Sequence, residues 1–401
     1  MKKNHAHAIA GSIYANYIIQ SIAVIVVMQF SFVLTQQFDT TIEGLGKIAS
    51  GIGMGKILFM FVSGLLSDRY GRKPFILIGM LCYVLFFVGL IFCTNIHLAF
   101  LLAVLAGAGN AGLDTGSMPV LTECFPQSAG SASILIKAFI SIGSFILPFI
   151  VTYVYDYQVW YGWIFLAFAI YMLINMLFLL PKSFPSTANV ISPVNNGMKD
   201  NGSYFIGKPK LSVEGILLVL MGFTTSATFV VIMQWMPEIA KHAVSMAETD
   251  AQQLISYYSL GSIISVFSMA YIVKKWLKPI QCVIILPLLS SIILIIFLLD
   301  MTPFMCRFTA FTMGFTAAGG VLQLALVVMQ QLFPSRKGGA VGVMYTLSGL
   351  AFVVTPNVVP KLAIIDVRYA IIFDLIMALL SVIFALIVYS RFKKVIDMQK
   401  I

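Results

Sequence analysis

Two ionisable side chains lie inside long apolar runs of this 401-residue chain. Asp114 occurs in the stretch GNAGLDTGSMP, and Lys56 occurs in GIGMGKI. A charged side chain at the centre of a bilayer costs roughly 2.5–3.5 kcal/mol, so such a residue indicates function. A buried carboxyl can exchange a proton, and an ammonium group can bind an anion or neutralise a carboxylate. We predict that Asp114 couples to protons and that Lys56 binds a solute.

Each of these residues also has a simpler interpretation. Asp114 could be a structural acid that pairs with a neighbouring hydrogen-bond donor. Lys56 could neutralise Asp114, or its long side chain could reach a membrane interface. These alternatives stay open at the level of the sequence.

Neutral polar and aromatic residues in other apolar runs complete a candidate pocket. Asn110 precedes Asp114 by one helical turn, so the two share a helix face. Aromatic residues in such runs more often pack than bind, so only some of this set are expected to contact a solute. The remaining candidates are Asn16, Gln20, Gln29, Gln234, Trp235, Tyr257, Gln323, Tyr345 and Asn357.

A third group of ionisable residues forms the hydrophilic turn GLLSDRYGRKP at residues 64–74. Its acid can accept hydrogen bonds from an arginine or from a helix N-terminus. Its glycines permit close backbone approach. Contacts of this kind could open and close one side of a membrane protein, so we predict a gate. The gate residues are Gly64, Asp68, Arg69, Gly71, Arg72 and Lys73.

The elements that position these residues are membrane-spanning helices. The chain is 60% hydrophobic and only 10% charged, whereas a soluble domain is about 25% charged. Because roughly 20 apolar residues are needed to cross the hydrocarbon layer, the sequence excludes a single soluble core. The predicted spans are residues 9–36, 44–66, 74–94, 98–122, 131–154, 161–181, 212–235, 251–273, 279–299, 304–332, 339–360 and 369–390.

The distribution of basic residues predicts the orientation of these spans. Of the 25 Lys and Arg residues, eighteen fall on the side that carries both termini, five fall on the opposite side and two lie within spans. Cytoplasmic loops are enriched in Lys and Arg. We expect a multi-pass protein of the cell membrane with both termini in the cytoplasm.

A polar segment rich in Ser, Asn, Pro and Gly divides the chain into halves of six spans. The predicted domains are 1–181, a cytoplasmic linker at 182–211, and 212–401. Weak internal similarity supports the division. The matches, each shifted by 208 residues, pair Gly112, Phe125, Pro126, Gly130, Ala132 and Pro148 with Gly320, Phe333, Pro334, Gly338, Ala340 and Pro356.

The turn at residues 64–74 resembles the signature G-x-x-x-D-[RK]-x-G-[RK]-[RK] of the major facilitator superfamily at every position. With twelve spans and a central linker, the resemblance extends over essentially the whole chain. It implies an all-α membrane protein with twelve transmembrane helices in two pseudo-symmetric six-helix bundles. It also implies a latch that favours the outward-open state, chiefly in the first half, since residues 272–279 retain only a remnant of the motif.

A second resemblance covers the fourth span. Asp114, Thr115 and Pro119 are similar to the fourth helix of fucose permease and its sugar:proton symporter relatives. In those proteins the matching acid takes part in proton or sugar handling, which implies such a role for Asp114. Those relatives have a further acid in the first helix, and residues 9–38 here contain none.

The other ionisable residues and the cysteines are expected to be structural. Asp374 is interpreted as half of a structural ion pair, and Arg307 as a member of an outer gate. Lys137 is expected to reach an interface or join the gate. The five cysteines and four histidines show no metal-ligand spacing. No cofactor, metal or nucleic-acid partner is predicted, and no catalytic motif supports an enzyme.

The leading hypothesis is a secondary transporter that moves a small polar solute, a sugar or hydroxylated organic acid, by alternating access in symport with protons. Its partners are then the solute, protons and membrane lipids, and a monomer is expected. Proton-coupled export of drugs is one alternative, although the fifth span lacks the full G-x-x-x-G-P-x-x-G pattern. A sensor with a transport fold, which binds solute without moving it, is another.

Overall fold

The computed structural model describes residues 3–125, 129–184, 206–207, 209–333 and 337–396. Within them, twelve helical stretches are long and apolar enough to cross a membrane, as predicted. Two π-helical segments, 211–215 and 314–318, interrupt the α-helices. The α-helices are α1 (Lys3–Gln29), α2 (Ser31–Gln37), α3 (Ile42–Tyr70), α4 (Arg72–Phe92), α5 (Ile96–Cys124), α6 (Ala129–Asp156), α7 (Gly162–Leu179), α8 (Ile216–Val244), α9 (Glu248–Gln252), α10 (Leu254–Lys275), α11 (Pro279–Leu299), α12 (Pro303–Met313), α13 (Val321–Leu332), α14 (Lys337–Ile365) and α15 (Val367–Val395).

Three spans differ from their predicted form. The first, predicted as one helix over 9–36, breaks at Phe30 between α1 and α2. The tenth, predicted as one helix over 304–332, changes to π-helix and then bends at Gly320, whose φ of +131° is outside the range that suits other residues. The seventh continues well past its predicted end at residue 235, to Val244. Hydropathy places a span, but it is insensitive to such breaks.

The helices form two bundles, α1–α7 and α8–α15, which confirms the predicted fold class. Their symmetry extends to the backbone: Phe125 ends α5 with φ −129° and ψ 64°, and Phe333 ends α13 with φ −125° and ψ 65°. The helices that follow these ends begin 208 residues apart, at Ala129 and Lys337. The domain boundaries 1–181, 182–211 and 212–401 stay a prediction, because most of the predicted linker lies outside the described residues.

The two ends of the bundle differ in how the helices are joined. We call the end with the α3–α4 turn and the start of the linker the linker end, and the opposite one the far end. At the far end, side-chain caps start the helices: Asn95 Oδ1 accepts from His97 N at 2.8 Å, and the Asp366 carboxylate accepts from Arg368 N at 2.8 Å. At the linker end, Gly71 alone joins α3 to α4 with a φ of +92°, which explains the glycine in the turn.

The bundles meet through small residues along α3–α14 and α6–α10. Gly53 of α3 packs against the backbone of Phe352 in α14. Between α6 and α10, Ser259 donates to Ser144 at 2.8 Å, and Ser256 donates to the Phe145 carbonyl at 2.8 Å. Small side chains allow helices to approach closely in a membrane.

These contacts lie in the far half of the interface. Ile57 of α3 still touches Gly349 of α14. Phe61, one turn further toward the linker end on the same face of α3, is 74% exposed. The two bundles therefore pack together at the far end and separate toward the linker end.

Close packing of α3 on α5 fixes the position of Lys56. Gly55 of α3 faces the Val104 carbonyl, and Gly107 of α5 faces the backbone of Ile52 and Lys56. A β-carbon at Gly107 would collide with this backbone. The two glycines thus hold the helices near enough for side chains next to them to meet.

Gly107→Ala should therefore destabilise the protein. The new methyl group must separate α3 from α5, and overpacking of this kind costs about 1–3 kcal/mol. Gly11→Ala is the matched control, since Gly11 lies in a helix with open space where its β-carbon would be, and it should be neutral or slightly stabilising. Thermal unfolding of the purified protein measures both, and equal midpoints would contradict the role of Gly107.

Candidate functional site

Lys56 and Asp114 form an ion pair between α3 and α5. The Lys56 Nζ lies 2.9 Å from Asp114 Oδ2. On α1, the Gln20 amide donates to Asp114 Oδ1 at 3.1 Å. Asp114 is buried, whereas 30% of the Lys56 side chain is exposed. The structure therefore places Lys56 in contact with Asp114, and its role in binding a solute stays a prediction.

Pro119 adjusts α5 just beyond the acid. A proline within a helix leaves the carbonyl four residues earlier without its usual donor, and here that carbonyl belongs to Thr115. The Ser67 hydroxyl of α3 donates to it at 3.4 Å. The Thr115 hydroxyl donates back to the Ala111 carbonyl at 2.8 Å. The Asp-Thr-x-x-x-Pro sequence thus ties α5 to α3 near the ion pair.

Further polar groups lie within electrostatic range of Asp114, and they come from both bundles. Tyr17 of α1 and Tyr83 of α4 belong to the first bundle, and Tyr345 of α14 belongs to the second. The buried Tyr17 hydroxyl lies close to Asp114 and Ser117, but its geometry does not meet the criteria for a hydrogen bond to either residue. The site is therefore at the interface of the bundles.

A second ammonium group shares this site. Lys137 of α6 interacts electrostatically with both Lys56 and Asp114. The sequence interpretation placed Lys137 at an interface or in the gate, and it overlooked this proximity because it depends on how α6 packs. When ionised, the two lysines and one aspartate together carry one net positive charge.

Several buried polar atoms near the ion pair or elsewhere in the two bundles have no hydrogen-bond partner among the described residues. Buried polar groups are normally hydrogen-bonded, so these atoms are exceptions, and any role in binding a solute stays a prediction. Those on predicted site residues are Asn16 Nδ2, Gln20 Oε1, Gln29 Oε1, Asn110 Oδ1, Gln234 Oε1 and Trp235 Nε1. The hydroxyl of Tyr17, from the same span as Asn16 and Gln20, joins them, as does that of Tyr83, which was absent from the predicted set.

The other predicted binding residues lie at varying distances from the ion pair. Gln234 donates across the bundle interface to the Val24 carbonyl at 3.5 Å, and Trp235 packs against Gly46 of α3. Asn357 donates to its own helix at Val353. Tyr257 is 39% exposed, and Gln323 is half-buried in α13. Their binding roles stay predictions.

The described gate residues contact the first bundle. Arg72 donates to the Ser67 hydroxyl at 3.0 Å and lies 4.0 Å from Glu123 at the end of α5. Lys73 donates to the carbonyls of Leu180 and Lys182 near the end of α7. Gly64 is half-buried, and Arg69 is exposed and lies over the Tyr70 ring. The side chain of Asp68 lies outside the described residues, so its latch role stays a prediction.

The expectation that Asp374 belongs to a structural ion pair is wrong. Asp374 is completely buried in α15, and neither carboxylate oxygen has a hydrogen-bond partner among the described residues. The ion pairs of the described part of the chain do not include it. Spacing along a sequence shows that an acid is buried, but it does not show which groups surround it.

A network of charged groups joins the bundles at the far end. The Ser31 hydroxyl of α2 donates to Glu238 of α8 at 2.8 Å. Lys241 bridges Glu238 at 2.6 Å and Glu248 at 2.9 Å. Tyr155 of α6 lies within electrostatic range of both acids. Ser31 therefore holds the first bundle to a charged cluster on the second.

Ser31→Ala should weaken the contact between the two bundles at the far end. Loss of a hydrogen bond to a charged group costs about 1.5–3 kcal/mol, so the population with an open far end should rise at least about tenfold. Spin labels at the exposed positions Asp39 and Ala247 would report it as a longer distance in pulsed electron resonance. Thr35→Ala is the control, because Thr35 donates only within its own short helix, to Ser31 O and Phe32 O. An unchanged distance distribution in Ser31→Ala would refute this role.

Comparison with known proteins supports this arrangement. Residues 10–356 match the Major Facilitator Superfamily. Inner membrane transport protein YdiN of Escherichia coli (strain K12) is 38% identical over 96% of this chain and 90% of its own length. The uncharacterized MFS-type transporter YfkL of Bacillus subtilis (strain 168) is 35% identical over 97% of this chain and 98% of its own. Inner membrane transport protein YdiM of Escherichia coli (strain K12) is 33% identical over 98% of this chain and 96% of its own length. These names specify membrane transport and leave the cargo open.

Proposed function

From the premise that the chain belongs to the Major Facilitator Superfamily, we propose the cargo and coupling of this secondary transporter. The cargo is a small hydroxylated organic acid in its anionic form, which moves together with a proton by alternating access. The observation that carries the proposal is the ion pair of Lys56 with Asp114 at 2.9 Å, at the interface of the bundles.

The charges around the ion pair favour an anion. With Lys56 paired to the acid Asp114 and Lys137 within electrostatic range of both, an entering carboxylate can bind an ammonium group and leave the site closer to neutral. Opposite charges about 4 Å apart attract by about 4 kcal/mol at an effective dielectric constant of 20. A cationic drug would add a third positive charge to the site, which disfavours the export alternative.

The neutral groups around the pair suit a hydroxylated cargo. Amide and phenol groups on Gln20, Asn110 and Tyr17 have unpaired donors or acceptors near the acid. A buried polar atom without a partner costs roughly 1–3 kcal/mol, and a hydroxyl of the cargo can supply the missing bond. An acid without hydroxyl groups could not supply this hydrogen bond.

Proton coupling follows from the competition for Lys56. When the cargo carboxylate binds the Lys56 ammonium, Asp114 loses its counter-charge while it stays buried. A buried carboxylate without a partner is costly, so it takes up a proton. Anion and proton then cross together, and a monocarboxylate moves without net charge.

The basic residues give the proposed orientation. The linker end, where Lys and Arg concentrate, faces the cytoplasm. With the far end closed by Ser31, Glu238 and the serine contacts of α6 and α10, the structure is then inward-open. One chain supplies both bundles, so we propose that a monomer in the cell membrane is sufficient.

Uptake into proteoliposomes tests this function. Labelled lactate, glycerate and gluconate are offered at an acidic exterior and a neutral interior, with fucose and ethidium as the sugar and cationic-drug probes. We expect at least one hydroxy acid to accumulate, and accumulation to be insensitive to a potassium–valinomycin potential. Transport of fucose or ethidium without any of the acids would overturn the proposed cargo.

A further inference from the structure

Four acids are buried in the described part of the chain, and Asp374 differs from the other three. Each of those three lies 2.6–3.0 Å from a lysine or arginine. The pairs are Asp114 with Lys56, Glu214 with Arg391, and Glu238 with Lys241. Asp374 is 0% exposed, and neither of its carboxyl oxygens has a hydrogen-bond partner among the described residues. It therefore lacks the counter-charge that allows the other buried acids to stay ionised.

Two hydroxyl groups lie near Asp374. Its carboxyl group lies close to the Thr228 side chain of α8, although the geometry does not meet the criteria for a hydrogen bond. Thr228 donates its own proton to the Thr224 carbonyl at 3.2 Å, so its oxygen retains lone pairs. The Tyr258 hydroxyl of α10 is buried within electrostatic range and has no hydrogen-bond partner among the described residues. One neighbour can thus accept a hydrogen bond, and the other has a proton to donate.

The spans that pack against α15 bring no cation to Asp374 within the part of the chain that the structure describes. These spans are α8, α11 and α14, and α11 contains no Lys, Arg, Asp or Glu. The basic residues of α8, α14 and α15 lie near the ends of these helices, and their ion pairs do not include Asp374. They are Lys241, His242, Lys337, Lys361, Arg368, Arg391, Lys393 and Lys394. The ionisable neighbour is Tyr258, whose hydroxyl is neutral at physiological pH.

We propose that Asp374 is a proton-binding site of the second bundle and that its carboxyl group is the neutral acid in this state. An ionised carboxylate here would have neither water nor a counter-charge, and a buried group in that position takes up a proton instead. The neutral acid has one O–H donor and a carbonyl acceptor. Its O–H can donate to the Thr228 oxygen, and its carbonyl can accept from the Tyr258 hydroxyl. The proton thus satisfies polar groups that an ionised Asp374 would leave unpaired.

The bound proton allows α15 to pack on α8 through neutral groups. Thr224 and Ser381 share a hydrogen bond of 2.6 Å between the same two helices. Ser381 follows Asp374 by two helical turns and lies on the same face of α15. Neutral polar side chains often join helices within a membrane, and a protonated Asp374 belongs to this class. This proton is separate from the one proposed to move with the cargo, so the inference does not depend on the proposed function.

Infrared difference spectroscopy of the purified full-length protein near pH 7 tests the protonation directly. The spectrum of the parent minus that of Asp374→Asn should contain the carbonyl band of a protonated carboxylic acid and no carboxylate band. Glu214→Gln is the matched control, because Glu214 is equally buried but pairs with Arg391 at 3.0 Å. Its difference spectrum should contain a carboxylate band. A carboxylate band in the Asp374→Asn difference would show an ionised acid and overturn the proposal.

The pH dependence of stability gives a second readout. The folded parent holds a proton that an unfolded, solvated aspartate releases near neutral pH, so rising pH favours the unfolded parent. Asp374→Asn has no such proton to lose. From about pH 6 to about pH 8, its unfolding equilibrium should therefore shift in its favour relative to the parent by up to about tenfold per pH unit. Glu214→Gln should be less stable than the parent throughout, because Arg391 loses its partner. A difference between Asp374→Asn and the parent that does not change with pH would contradict the proposal.

A second variant keeps the proposal testable if Asp374→Asn fails to fold. Thr228→Val preserves the shape of the side chain and leaves the Asp374 carboxyl group in place, but it removes the oxygen that accepts the acid's proton. In its difference spectrum against the parent, the band of the protonated acid should move to a new position. A spectrum of Thr228→Val without any change in this band would overturn the assignment of the proton to Asp374 and Thr228.

Discussion

Asp114→Asn should abolish accumulation driven by a pH gradient while exchange of labelled for unlabelled cargo continues. An amide in this position cannot take up the proton that the carboxylate takes when Lys56 binds the cargo. With one proton per anion, a gradient of one pH unit supports about tenfold accumulation in the parent protein. We expect no accumulation in the variant, because cargo binding and proton binding are no longer linked.

The measurement is uptake of the labelled acid into proteoliposomes, with and without the pH gradient, alongside counterflow. Asp39→Asn is the matched control: Asp39 is an exposed turn residue with φ 44°, a conformation that asparagine adopts readily. Its uptake should equal that of the parent. Full accumulation in Asp114→Asn would show that the proton is carried elsewhere.

Lys56→Gln should weaken binding of the anionic cargo by roughly 30–100-fold. Truncation of one partner in a close charge pair costs about 2–5 kcal/mol, and we take the lower part of this range because 30% of the Lys56 side chain is exposed. The loss should be specific to charge, so any binding of an uncharged analogue such as the cargo amide should change little.

Isothermal titration of the purified variant measures this effect. Lys47→Gln is the control on the same helix, because Lys47 is exposed and pairs with Glu43 at 3.2 Å. Lys137→Gln should give a smaller loss, since Lys137 interacts with the pair at longer range. If Lys47→Gln and Lys56→Gln bind the acid with equal affinity, Lys56 has no part in recognising it.

The fold was predictable because lipid imposes a simple rule on the sequence. Any segment that crosses the membrane must be long and apolar, so twelve spans could be recognised, and the described residues contain twelve helices of sufficient length and apolarity. The glycine at position 71 was predicted only to allow close backbone approach, whereas the structure shows that it joins two helices with a positive φ. The breaks at Phe30 and Gly320 were not predicted, because a helix break does not change the hydropathy of the span.

The candidate site was only partly predictable. Lys56 and Asp114 are conspicuous as charges in apolar runs, but they are 58 residues apart in the chain, and their contact depends on the close packing of α3 and α5. The proximity of Lys137 and Tyr83 to Asp114 was overlooked for the same reason. Asp374 was assigned a structural ion pair because the twelfth span was expected to be peripheral, and its complete burial becomes apparent only when the spans are assembled.

The most direct test of the coupling is the number of protons that the protein takes up when the cargo binds. A weakly buffered sample of purified protein near pH 7 is mixed with a hydroxy acid adjusted to the same pH, and the change in pH is recorded. We predict alkalinisation equivalent to about one proton per bound anion, and none in Asp114→Asn. Saturable binding of the acid with no uptake of protons by the parent protein would contradict the proposal that Lys56 leaves Asp114 and pairs with the cargo.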